Sequence, residues 1–204
     1  MKNSYYSERE LKNLGLKSFG ENVLISRYAR FYGEENISVG NNIRIDDFCI
    51  LSGKIEIGNF VHIGAGTYLF GGEEGIIIND FSGCSPHVSV FTSSEDYSGN
   101  SLTNPTVPVK YRKLNKGPVL IKKYVIIGTG SVVLPSVVIE EGSAIGTLSL
   151  ADKNTEPWKI YFGVPIRPLK KRIDNLLELE KEFMKEIKET ESIRESQNAT
   201  DIRQ

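Results

Sequence analysis

The chain predicts an all-β fold, a parallel β-helix wound from short strands. Three observations predict it: a six-residue period between Ile121 and Leu150, earlier copies of the same unit from Val39 onward, and glycines that follow the period. Residues 121–150 read IKKYVI, IGTGSV, VLPSVV, IEEGSA and IGTLSL, each led by an aliphatic residue and carrying a small or β-branched residue at its fifth place. The earlier copies are VGNNIR from Val39, IDDFCI from Ile45, IGNFVH from Ile57, IGAGTY from Ile63, INDFSG from Ile78 and CSPHVS from Cys84. Such a period fits neither the 3.6 of a helix nor the alternation of an open strand, whereas in a coil with tight corners every unit points the same side chain inward. The lead residues then stack into one narrow core, the fifth places are small because the core is narrow, and a second-place glycine suits a corner that a Cβ would strain. A sandwich would show hairpin turns every eight to twelve residues, and a Rossmann domain would show helical periodicity in the middle of the chain; neither pattern is present.

In chain order, the N-terminal segment 1–18 contains a short helix expected over residues 4–15, with Ser7 and Glu10 spaced as a capping box and Gly15 at the C-cap. The coil runs over 19–172. It is interrupted at 92–117, where a polar, proline-bearing stretch must leave the coil as a long excursion before the period resumes at Pro118. Residues 173–189 place Ile173, Leu176, Leu177, Leu179, Phe183, Met184 and Ile187 among charges, an amphipathic helix able to cover a coil end or a neighbouring chain. Residues 190–204 are polar and expected to be disordered.

The 204 residues carry 25 basic and 26 acidic side chains, a net charge of −1, so no global field favours nucleic acid or anionic lipid. No run approaches the roughly 18 apolar residues of a membrane span, and the opening MKNSYYSERE lacks the apolar segment of a signal peptide. A cytoplasmic location is the expectation. Cys49 and Cys84 lack zinc-site spacing and read as buried thiols. Two isolated histidines, His62 and His87, supply no metal ligand set.

These hexads, the excursion after SPHVSVFTSS and the string GVPIRPLKKR resemble the left-handed β-helix acyltransferases, the hexapeptide-repeat group of galactoside and maltose acetyltransferases, over residues 19–172. Within that group, DDFCILSGKIEIGNFVHIGAG, FGGEEGIIINDFSG and SSEDYSG are most similar to the dTDP-4-amino-4,6-dideoxyglucose acyltransferases of O-antigen synthesis. The resemblance implies a left-handed coil, a homotrimer with active sites between subunits, acetyl-coenzyme A as donor and a nucleotide-linked amino sugar as acceptor.

Acetyl transfer needs a base for the acceptor proton, a donor to the oxyanion and a slot that aligns both substrates. In galactoside-type relatives a histidine launches the excursion; here VFTSSE places Glu95 there, so Glu95 or Asp96 inherits the role, or the base moves to His62 on another wall. His62 takes a sixth place, which points outward beside an inward Ile63, and a carboxylate from a facing chain would orient it. The resemblance makes Gly64 an acceptor-binding position. Asp46, Asp47, His87 and Tyr97 are further acceptor-side candidates. The bland alternatives are a solvated corner for the histidines, a turn for Glu95 and Asp96, and unremarkable exposed aspartates at 46 and 47.

On the donor side, Gly128, Thr129, Thr147, Leu148, Lys153, Gly163, Pro165, Arg167 and Arg172 match positions where relatives line the pantetheine groove or meet the phosphates. The alternative is that the glycines only turn corners and the basic residues only open a solvated helix. Asp152 replaces a threonine usual in galactoside-type enzymes. Loss of the histidine tilts the reading toward an amine acceptor, a stronger nucleophile than a hydroxyl once neutral. O-acetylation of a sugar is the second reading, and a non-catalytic binding or scaffold protein the third.

Overall fold

A computed structural model describes residues 4–201, with side chains through residue 190, as an all-β left-handed parallel β-helix followed by a C-terminal helix. The coil has three faces. The first stacks Val23–Ile25, Ile43–Ile45, His62–Ile63, Gly83–Cys84, Ile126–Ile127, Ala144–Ile145 and Lys159–Phe162. The second stacks Arg30–Tyr32, the start of Ile50–Ile57, the start of Tyr68–Ile78, Ser89–Phe91, Val132–Val133 and Leu150–Ala151. The third holds Ser18–Phe19, Ile37–Val39, the ends of the same two long strands, Val119–Ile121 and Val138–Ile139. The pairs Ile121 with Ile139 and Ile127 with Ile145 show that three hexads make one turn.

The hexad explains this interior place by place. The lead residues Val39, Ile45, Ile57, Ile63, Ile78, Cys84, Ile121, Ile127, Val133, Ile139 and Ile145 are all buried, and so are the fifth places Ile43, Cys49, Val61, Thr67, Ser82, Val88, Val125, Ser131, Val137, Ser143 and Ser149. Each buried aliphatic residue contributes about 1.5–3 kcal/mol relative to exposure. The polar fifth places are satisfied: the Ser131 hydroxyl donates to the Gly146 carbonyl at 2.8 Å and the Ser82 hydroxyl to the Lys122 carbonyl at 2.7 Å. Burial pushes the Cys49 thiol up to about 11 and the Cys84 thiol up to about 12, so both are inert thiols.

The corners differ from expectation. Second-place glycines do not relieve a strained φ; they admit the next coil, since a Cβ on Gly58 would lie 2.3 Å from Asp80 Oδ1 and one on Gly128 would lie 2.6 Å from the Thr147 nitrogen. The left-handed residue is the fourth place: Asn42, Phe48, Phe60, Phe81, His87, Tyr124, Ser136 and Leu148 all have φ between 52° and 67°. A corner hydrogen bond compensates this unfavourable backbone region. Fourth-place N–H groups donate to a third-place carbonyl one coil below, as in Phe60 to Asn41, His87 to Ala65 and Leu148 to Thr129, each at 2.9 Å.

Each corner is a column. The first, between faces one and two, carries Phe48, Gly66, His87, Gly130 and Leu148. The second, between faces two and three, is where the excursion leaves after Thr92 and returns at Gly117, closed by the antiparallel pair Ser93–Glu95 and Leu114–Lys116. The third carries an aromatic stack, Phe60 on Phe81 (4.7 Å between centroids), Phe81 near Tyr124 (5.9 Å) and Tyr124 near Trp158 (6.0 Å).

The ends also depart in part from the sequence reading. The N-terminal helix α1 is one turn, Glu8–Leu11, shorter than the expected 4–15; its capping box forms, with the Ser7 N–H donating to Glu10 Oε2 at 2.8 Å, and Gly15 takes φ 78°. Leu11 is buried, and Tyr6 and Leu14 on either side pack partly buried against the same core. Strand Lys159–Phe162 pairs antiparallel with Arg167–Lys171, which covers the edge of the last coil. The C-terminal helix α2 spans Leu176–Asp201, so helix replaces the disorder expected from residue 190; residues 202–204 lie outside the described residues. Its Glu- and Lys-rich composition favours helix intrinsically, aided by pairs such as Lys181 with Glu178 at 2.7 Å. Among the described residues no helix is long and apolar enough to cross a membrane.

Gly53 sits on the second corner at φ 80°, with a would-be Cβ 2.5 Å from the Gly72 nitrogen, whereas Gly99 in the excursion has φ 84° and open space around it. Gly99→Ala is expected to lower the melting temperature by about 2–4 °C, the effect of roughly 1 kcal/mol. Gly53→Ala should lower it by more than twice as much; equal shifts in a thermal melt would contradict the close coil packing.

Candidate active site

His62 stands on the outer side of the first face, directly beside Arg44 of the preceding coil. Its Nε2 lies 2.7 Å from Asp46 Oδ2, and Asp46 Oδ1 accepts from Arg44 Nε at 2.7 Å. The carboxylate that orients the imidazole therefore comes from the same chain, not from a facing one as expected. Asp46 can do this because it follows Ile45 where the strand turns into the first corner, one coil below His62. Its side chain is 16% exposed against 51% for His62, so the carboxylate is sheltered and the ring is presented. Burial by itself would raise the Asp46 carboxyl, but the hydrogen bonds from His62 and Arg44 hold it below the ordinary aspartate range. A carboxylate on Nε2–H leaves Nδ1 as the basic nitrogen. Asp47, next in the chain, accepts a hydrogen bond from the buried Ser26 hydroxyl.

The first corner gathers many of the other candidates. Above His62 and Gly64, His87 lies over Gly66, where a Cβ would come within 2.5 Å of the imidazole Nδ1. Next come Gly128 and Thr129, then Thr147 and Leu148, then Gly163, linked by Leu148 N–H to the Thr129 carbonyl (2.9 Å) and Leu150 N–H to the Gly163 carbonyl (3.0 Å). Thr129, Thr147 and Leu148 are exposed there, and Leu148 is 72% exposed. Gly64 and Gly128 are required by coil packing, a structural demand independent of any ligand. Pro165 is partly buried and Arg167 exposed in the terminal hairpin.

Glu95, Asp96, Tyr97 and Lys153 belong to the second corner instead. Glu95 forms an ion pair with Arg112 across the base of the excursion. Asp96 accepts from the Ser98 N–H at 3.0 Å and the Ser98 hydroxyl at 2.9 Å, which hold its carboxyl below the usual range. Tyr97 is 91% exposed and Lys153 is exposed. Arg172 lies at the third corner, where Nη1 donates to the carbonyls of Tyr124 (2.7 Å), Gly142 (3.1 Å) and Ser143 (3.3 Å). Burial lowers its guanidinium from the ordinary value. It clasps the terminal hairpin to the coil.

Sequence reasoning missed Arg44 and Arg112. The first had a signal, since Arg44 and Asp46 are two residues apart and project on one side of a strand. Arg112 had none, because the loop that brings it to Glu95 has no period. Among the described residues no group of three or more His, Cys, Asp or Glu side chains could hold a metal.

No protein-family model matches the chain. A dTDP-4-amino-4,6-dideoxy-D-glucose acyltransferase of Escherichia coli is 46% identical over 183 residues, 88% of this chain and 95% of that protein. The structure of AntD, an N-acyltransferase from Bacillus cereus, in complex with dTDP and 3-hydroxybutyryl-CoA, superposes with a TM-score of 0.90 at 49% identity, covering 91% of this chain and 99% of that one. A variant of AntD in complex with dTDP-4-amino-4,6-dideoxyglucose and coenzyme A gives 0.89 at 49% identity, over 90% and 99% of the two chains. A maltose O-acetyltransferase from Clostridium difficile, 23% identical with a TM-score of 0.51 over 82% of this chain and 75% of that one, shares the fold.

Because the folded Asp46 carboxyl titrates below its unfolded value, its contribution to stability is complete above about pH 4 and is lost as pH falls through the folded value. Urea unfolding should find Asp46→Asn less stable than the parent at pH 6, with the gap closing toward pH 3. A gap that is constant across this range would show that the ionised carboxylate gains nothing from its hydrogen bonds to His62 and Arg44.

Proposed function

The chain belongs to the dTDP-4-amino-4,6-dideoxy-D-glucose acyltransferases, and we propose that it transfers an acetyl group from acetyl-coenzyme A to the 4-amino group of a dTDP-linked 4-amino-4,6-dideoxyhexose for surface polysaccharide or O-antigen synthesis. The near-full-length match to enzymes of that name carries this reading. The amine nitrogen attacks the thioester carbonyl, the tetrahedral oxyanion collapses, and coenzyme A leaves as the thiol or thiolate while the nitrogen gives up a proton. His62 takes that proton at Nδ1, with Asp46 fixing the tautomer and steadying the imidazolium. Glu95 and Asp96 hold the acceptor from the other wall, with Tyr97 and His87 beside it.

The donor lies along the first corner, against the exposed backbone at Gly128, Thr129, Thr147, Leu148 and Gly163, with Pro165, Arg167 and Lys153 toward its phosphate end. A homotrimer is part of the reading. In one chain His62 and Glu95 stand on different corners, so a cleft between two copies is the way to bring both walls to one substrate. Exposed apolar side chains along the first face and corner, Leu24, Phe48, Ile126 and Leu148, support such contacts. The proposed setting is the cytoplasm, where acetyl-coenzyme A and nucleotide sugars are made.

One observation favours a second reading of the donor: the AntD complex with 3-hydroxybutyryl-CoA, which makes a longer acyl group the alternative to acetyl. Purified protein with dTDP-4-amino-4,6-dideoxyglucose and either thioester, followed by free-thiol release, tests both. Transfer from acetyl-coenzyme A is expected; release only with the longer thioester would replace acetyl, and release only with a sugar hydroxyl would replace the amine. His62→Gln should lower kcat about 10²–10⁴-fold while the protein still unfolds cooperatively, and full activity would remove His62 from the chemistry.

A further inference from the structure

One outward place on the first face carries no side chain, and the fold does not require this. Leu24, Arg44, His62, Gly83, Ile126 and Ala144 stack there in register, one per coil. Glycine weakens a strand, and within one it marks a bulge, a bend, or the close approach of a ligand or another backbone. His62 with Gly83 and Ile63 with Cys84 keep regular parallel register, so there is no bulge, and Gly83 has no left-handed φ. Coil packing does not demand the glycine either. A Cβ on Gly83 would meet only the His62 carbonyl oxygen within 4 Å among the described residues, at 3.3 Å, whereas one on Gly64 would lie 2.7 Å from the Pro86 nitrogen. Gly83 is half-exposed, so its bare backbone forms an open notch.

The neighbours of this notch point to a ligand. On one side stands the presented imidazole of His62, its Nε2 held 2.7 Å from Asp46; on the other, one coil higher, Ile126 is 48% exposed. A substrate that brings an amine to the imidazole carries its adjoining atoms within one coil spacing of the ring, about 4.8 Å. Of the two places in register with His62, Arg44 fills one and Gly83 leaves the other open. We infer that Gly83 is a specificity-determining residue, and that the notch seats the C6 methyl group of the acceptor between His62 and Ile126. In a 4-amino-4,6-dideoxyhexose the amine and the methyl are borne by neighbouring ring carbons, so a nitrogen at His62 sets the methyl beside it. A methyl needs no hydrogen-bond partner, and neither the glycine Cα nor Ile126 offers one. A hydroxyl in the same place would be desolvated without compensation. This inference rests on the acceptor proposed above, with its amine at His62.

Steady-state kinetics of the parent chain and of Gly83→Ala test it, with dTDP-4-amino-4,6-dideoxyglucose, its 6-hydroxy counterpart and the counterpart that lacks carbon 6 as acceptors. For the parent, kcat/KM is expected to fall about 10- to 200-fold when the methyl is absent and about 10²-fold when it carries a hydroxyl. Gly83→Ala puts a methyl of its own into the notch. It should lower kcat/KM for the 6-deoxy sugar at least about tenfold and leave the sugar without carbon 6 within about twofold of the parent, with the KM for acetyl-coenzyme A also unchanged within about twofold. Equal kcat/KM for the three sugars in the parent would overturn the proposal, whether or not the variant folds. So would an equal loss for all three sugars in Gly83→Ala. A change in particle mass by light scattering in that variant would likewise overturn it, giving the notch to the backbone of a second copy. Absence of transfer to any amino sugar by the parent chain is a different result, which sinks the acceptor reading itself.

Discussion

Every coil must lie flat on the next, and the rest of the molecule depends on that contact. Parallel strands about 4.8 Å apart leave room for backbone hydrogen bonds and nothing else. The chain meets this constraint three times per turn with the same six-residue device: an inward aliphatic, a second place small enough for the neighbouring backbone, a left-handed fourth place, and an inward fifth place. The fourth-place N–H to third-place carbonyl bonds lock each corner onto the one below, so the strain of a phenylalanine or tyrosine at positive φ is balanced in the adjacent coil rather than locally. Outside, the same stacking lines up residues of equal place into columns, and the candidate chemistry is distributed by column.

This explains how much the sequence disclosed. Lead and fifth places were legible because core volume selects their type directly, and the buried state of Ile121, Ile127, Val133, Ile139 and Ile145 follows from it. The corner was misplaced because no residue type marks the fourth place. Asn42, Phe60, His87, Ser136 and Leu148 share only a backbone conformation stabilised by a hydrogen bond some twenty residues away. The excursion was visible as a break in the period, but its internal pairing was not. The outward setting of His62 was legible from its sixth place, whereas its carboxylate was sought on another chain, since sixteen residues of separation become a 2.7 Å contact only once the coil register is known. The resemblance sets Arg172 among the donor-side residues, and its inward contacts to backbone carbonyls become visible only once the terminal hairpin is folded onto the third corner.

Within one chain, then, two kinds of polar apparatus occupy two corners. The first face and first corner hold a histidine steadied by an aspartate, followed by a run of exposed threonines and backbone. The second corner holds an excursion whose acidic residues are already held, Glu95 by Arg112 and Asp96 by its own turn. Columns on a rigid prism do not migrate toward each other. The proposed transferase brings them together by juxtaposing copies.

The aromatic stack on the third corner has a consequence of its own. The chain contains one tryptophan, and it sits at the end of that stack, about one ring's reach from Tyr124 and beside the carbonyls that Arg172 clasps. Indole emission from this protein is thus a local optical gauge. It reports the seating of the final winding and its fastening hairpin, and separates fraying at that extremity from collapse of the whole column.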